Sequence, residues 1–72
     1  MKNKAQKRLI MFAVKYPDTW QSYATDKQTV SVVCATANLG IIRLNEFGQF
    51  MLKSRSHAAQ WLLSNYGMEW SN

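Results

Sequence analysis

The chain has one cysteine, one proline, one histidine and three glycines in 72 residues. With Cys34 alone, no internal disulfide forms, which fits a reducing cytoplasm. His57 has only Cys34 as a soft partner, so neither catalysis nor metal binding is expected at either residue. Three glycines leave no glycine-rich phosphate loop. Acids are also scarce: Asp18, Asp26, Glu46 and Glu69 show no pairing suited to general acid–base work, and two of them sit at helix-cap positions. The longest apolar run, Leu9 to Val14, is about a third of a membrane span. No run of small residues resembling a cleavage site follows the basic start, so neither a signal peptide nor a transmembrane helix is expected. These absences argue against an enzyme, and no cofactor, metal, membrane or small-molecule substrate is expected.

What is present is enough for one folded domain over residues 1–72. Hydrophobic residues make up 47%, with nine aromatics that include three tryptophans. That content is too high for a disordered chain. A domain of this size buries only about 60% of its unfolded surface, so each large apolar side chain matters. Net charge is +5, from nine Lys and Arg against four Asp and Glu, which makes polyanions plausible partners and acidic proteins the competitors. Five of the basic residues, Lys2, Lys4, Lys7, Arg8 and Lys15, lie in the first fifteen positions with no acid among them.

Periodicity predicts a helix over residues 4–16, with Ala5, Leu9, Phe12, Ala13 and Tyr16 on one face and Lys4, Lys7, Arg8 and Lys15 opposite. Pro17 ends it. Asp18 or Thr19 then caps a short second helix, residues 19–24, that buries Trp20. After Asp26 as N-cap comes a third helix, residues 27–38. Its stripe of Val30, Val33, Cys34 and Ala37 makes Cys34 a small core residue, and Gly40 stops the helix. A hairpin over 41–53 places Ile42, Leu44, Phe50 and Leu52 on one face and Arg43, Asn45, Met51 and Lys53 on the other. Ser54 or Ser56 caps a last helix, residues 56–66, with Ala59, Leu62, Leu63 and Tyr66 inward and Gly67 as its stop. His57 falls in its first turn.

The order helix, helix, helix, hairpin, helix resembles the winged helix-turn-helix family of transcription regulators, an α+β, mostly α fold. The resemblance rests on Thr29-Val30-Ser31-Val32-Val33 and on Leu39-Gly40-Ile41-Ile42-Arg43, a recognition-helix start and a glycine exit into the wing. Phe47-Gly48-Gln49-Phe50-Met51-Leu52 looks like the returning wing strand. It covers about residues 5–53, and the chain's size and basic start resemble small bacteriophage or prophage members. The resemblance implies a cytoplasmic regulator that binds duplex DNA in a sequence-specific way, with the third helix in the major groove.

On that reading Gln28 pairs with adenine, Val32 touches a thymine methyl, and Thr29 and Ser31 take phosphate oxygens, beside Lys27. Lys4, Lys7 and Arg8 on the first helix, and Arg43, Lys53 and Arg55 at the wing stem, are the expected phosphate contacts. The rival reading keeps the fold but makes it a protein-interaction module that binds a host or viral protein. Lys27 as the sole basic residue of the third helix, and Glu46 at the wing tip, favour the rival. Trp61 and Trp70 exceed what so small a core readily holds, which points to a homodimer through the last helix and tail.

Overall fold

The structure is a computed structural model and describes residues 4–68. Three twelve-residue helices, α1 (Lys4–Lys15), α2 (Lys27–Asn38) and α3 (Arg55–Tyr66), accompany three strands, β1 (Gln21–Ser22), β2 (Ile42–Leu44) and β3 (Gln49–Leu52). The strands form one antiparallel sheet in the order β1-β3-β2. The fold is α+β and mostly helical, as the sequence leads one to expect.

Two helices precede the hairpin, and not three. Residues 19–24 form no helix; Gln21 and Ser22 pair with Phe50 and Gln49. A six-residue helix offers few internal hydrogen bonds against the cost of nucleation. The extended form instead gains the ladder to β3, the Tyr23 N–H bond to the Gly48 carbonyl at 3.3 Å, and a Gln21 Nε2 bond to the Phe12 carbonyl at 3.0 Å. Tyr23 thereby meets Phe50, ring centroids 6.5 Å apart. The two-helix element expected over 19–38 is therefore a short strand and a single helix.

The hairpin alternates as expected, but Leu44, expected inward, is 37% exposed near its tip. Ile42 pairs with Leu52, Arg43 with Met51 and Leu44 with Phe50, so the pleat turns Ile42, Phe50 and Leu52 toward the helices. Asn45 organises the tip: its Oδ1 accepts the Phe47 and Gln49 N–H groups, and its Nδ2 donates to Gln49 Oε1 at 2.9 Å. Gly40 leaves α2 at φ +79°, a conformation glycine adopts without strain, and a Cβ there would lie 3.2 Å from His57 Nδ1.

The core is Ile10, Ala13, Val33, Ile41, Ile42, Phe50, Ala58 and Leu62, with Thr36 fully buried beside them. Each helix is turned about its axis from the face the periodicity suggests. On α2, Val33 and Thr36 point inward and Cys34 is exposed, which corrects its assignment as a core residue. Thr36 tolerates burial because its hydroxyl donates to the Val32 carbonyl at 2.8 Å and accepts from Gln6 Nε2 at 3.1 Å. On α1, Ile10 and Ala13 are buried, while Ala5, Phe12 and Tyr16 are exposed. On α3, Ala58 and Leu62 are buried and Leu63 is 53% exposed.

Candidate nucleic-acid interface

The start of α2 is set by Asp26, whose carboxylate accepts the Thr29 N–H at 2.9 Å. That backbone bond, followed by one from the Thr29 hydroxyl, holds the Asp26 carboxyl below its usual pKa range. The cap fixes the first turn, and with it Lys27, Gln28 and Thr29. Lys27, Gln28 and Ser31 are exposed; Thr29 and Val32 are partly buried.

Gln28, Thr29 and Val32 line one wall of an open groove of about 380 Å³ between α1 and α2. Arg8, Leu9 and Phe12 stand on the α1 wall, and Tyr23 and Phe50 lie at the sheet end. The structure thus brings together four of the predicted DNA-contacting residues, Arg8, Gln28, Thr29 and Val32, around an apolar floor. Lys27 and Ser31 stand on the neighbouring solvent face of α2, which carries no other charge. Lys4 shares the exposed side of α1 with Arg8. Lys7 does not: it is partly buried, its Nζ 4.6 Å from the centre of the Tyr66 ring, joining α1 to α3.

The wing-stem cations lie elsewhere. Arg43 points from the outer face of the sheet, its guanidinium 5.4 Å from the Trp20 ring. Trp20, expected in a helical core, is partly buried on that outer face because β1 is extended. Lys53 and Arg55 are exposed at the entry to α3, which begins with the Ser54 hydroxyl accepting the His57 N–H. The tip presents Glu46 and Phe47, the latter 77% exposed.

His57 occupies the first turn of α3 as expected, with Nδ1 3.3 Å from the Gly40 carbonyl, where it ties helix to hairpin. Among the described residues no group of three or more His, Cys, Asp or Glu is placed to hold a metal ion. No described helix is long and apolar enough to cross a membrane. Trp61 is partly buried, packed against the core and 5.7 Å from the Tyr66 ring, while Trp70 lies outside the described residues.

The exposed row of Lys4, Arg8 and Lys15 on α1 was implicit in the helical periodicity, whereas Lys7, expected in the same row, is turned onto Tyr66. The groove itself escapes sequence reasoning, because it exists only where residues 19–24 fail to form a covering helix. Comparisons with family models, curated proteins and solved structures find no match for this chain.

Proposed function

We propose that the domain binds duplex DNA as a small transcription regulator of winged-helix type, with the start of α2 entering the major groove. Charge distribution is the observation that carries this reading. Seven of the eight described Lys and Arg residues are exposed, against three carboxylates, one of which is engaged in the Asp26 cap. An excess of accessible cations on so small a surface suits a phosphate backbone. Helix α2 leading through Gly40 into a hairpin supports the reading. In this arrangement Lys27, Gln28 and Ser31 are the base-facing residues. Lys4, Arg8, Lys53 and Arg55 take phosphates, while Arg43, against Trp20 on the outer face of the sheet, lies apart from the start of α2.

Changing Lys27 and Gln28 together to alanine tests the proposal. Both are exposed, so folding should persist while duplex affinity falls by about 1–3 kcal/mol. Unchanged affinity at matched salt would remove α2 as the reader. The second reading, a protein-interaction module, is favoured by one observation: Gln28, Thr29 and Val32 border a recessed apolar groove, a shape suited to a side-chain partner.

A further inference from the structure

The apolar stripe Ala5, Leu9, Phe12 and Tyr16 follows helical spacing i, i+4, i+7, i+11, yet the fold leaves it largely uncovered. Phe12 is 46% and Tyr16 45% exposed, Ala5 is exposed, and only Leu9 is partly packed. The core uses the neighbouring face through Ile10 and Ala13. A helix at residues 19–24 would have offered cover, but that segment pairs as β1. Along the outer edge of the stripe run Lys4, Arg8 and Lys15, all exposed.

We infer that the groove between α1 and α2 is a docking site for an amphipathic helix of a partner protein, one whose apolar stripe is flanked by Asp and Glu. The inference gives the protein-interaction reading a partner of defined chemistry, on a surface that shares Arg8 and Gln28 with the proposed DNA face. A helix laid in the groove would place its apolar residues on Phe12, Leu9 and Val32, as in other helix-in-groove complexes. Its flanking carboxylates would then meet the basic row. The α1 wall of the groove, from Ala5 to Phe12, is about 11 Å long, which matches some two turns of partner helix. A second copy of this chain fits poorly, because the same row would bring like charges together. A lipid surface fits poorly as well, because the apolar floor is recessed between two helices with Phe50 only 4% exposed.

The test is a titration of the full chain with a synthetic amphipathic peptide of about 16 residues carrying a leucine stripe flanked by glutamates, followed by amide chemical shifts. Shifts should be confined to residues 5–16, Tyr23 and residues 28–32, with saturation below about 1 mM. The same peptide with lysine flanks should bind at least about tenfold more weakly. Phe12→Asp should abolish the shifts, and Arg8→Glu should weaken binding about tenfold, both with an unchanged circular dichroism spectrum. If Phe12→Asp fails to fold, Arg8→Glu on the exposed rim carries the test alone. The inference is overturned by an absence of shifts at about 1 mM acidic peptide, or by equal binding of the lysine-flanked peptide. It is equally overturned if phosphatidylserine vesicles shift the same amides where the acidic peptide does not. Duplex DNA is absent from every arm, so failure here leaves the DNA reading standing, and failure of DNA binding leaves this result standing.

Discussion

Substituting aspartate at Val33 and, separately, at Cys34 tests how α2 is seated. The two residues are neighbours on the stripe the periodicity suggests, but Val33 is 1% exposed in the core and Cys34 faces solvent. Val33→Asp loses about 2 kcal/mol of side-chain burial. It also places a carboxylate among Ile10, Ile41 and Phe50 with no cation in the cluster, at an effective cost of several kcal/mol. A domain of 72 residues has a total stability of roughly 4–11 kcal/mol, so the two costs together consume most or all of it. Thermal melting by far-ultraviolet circular dichroism should show Val33→Asp unfolded or melting far below the parent. Cys34→Asp should melt within about 0.5 kcal/mol of the parent, the usual range for a surface change. As an independent readout, Cys34 should react with a thiol reagent in the native protein as fast as it does in denaturant. A cooperatively folded Val33→Asp protein with the parent's melting temperature, or a Cys34→Asp protein that fails to fold, would refute this seating of the helix.

Two further outcomes follow from side-chain hydrogen bonds. The Gln6–Thr36 contact couples α1 to α2 at a fully buried position, so a double-mutant cycle of Gln6→Leu and Thr36→Val should give a coupling of about 0.5–1.5 kcal/mol in urea unfolding; strict additivity would mean the bond is not made. Asp26 has a folded-state pKa below its unfolded value, held down first by the Thr29 N–H. Its stabilising contribution is therefore present above the unfolded pKa and is lost as pH falls through the lower, folded one. Melting temperature should drop with acidification across that window in the parent, and the portion due to Asp26 should vanish in Asp26→Asn, which retains a capping oxygen without titrating.

Sequence reasoning located the punctuation of this fold well and its helix faces poorly. Asp26, Gly40, Ser54 and Gly67 act through the chemistry of their own turn, so caps and stops are legible locally. The hairpin is legible for the same reason, since a two-residue period admits only two facings and one of them puts Arg43 and Lys53 in the core. A helix offers a continuum of rotations. On α2 the seating that buries Val33 and Thr36 is satisfied by Gln6, thirty residues away, which reaches the threonine hydroxyl, a contact invisible to spacing. The strand at Gln21–Ser22 is likewise decided by a distant partner, Gln49–Phe50. For the candidate interface, the identity of the exposed cations was readable from composition, whereas the groove that gathers Arg8, Gln28, Thr29 and Val32 depends on that same strand.

Salt dependence of binding to a random-sequence duplex is the most direct test of the central claim. Seven of the described Lys and Arg side chains are exposed; if about five of them reach phosphates, the slope of log K against log salt is about −4.5. Raising monovalent salt from about 50 to 200 mM should then weaken binding roughly 500-fold, and charge reversal at Lys4 and Arg8 should flatten the slope. An affinity that changes less than about threefold over that range, or no binding at about 50 mM salt, would contradict a DNA-binding role for this domain.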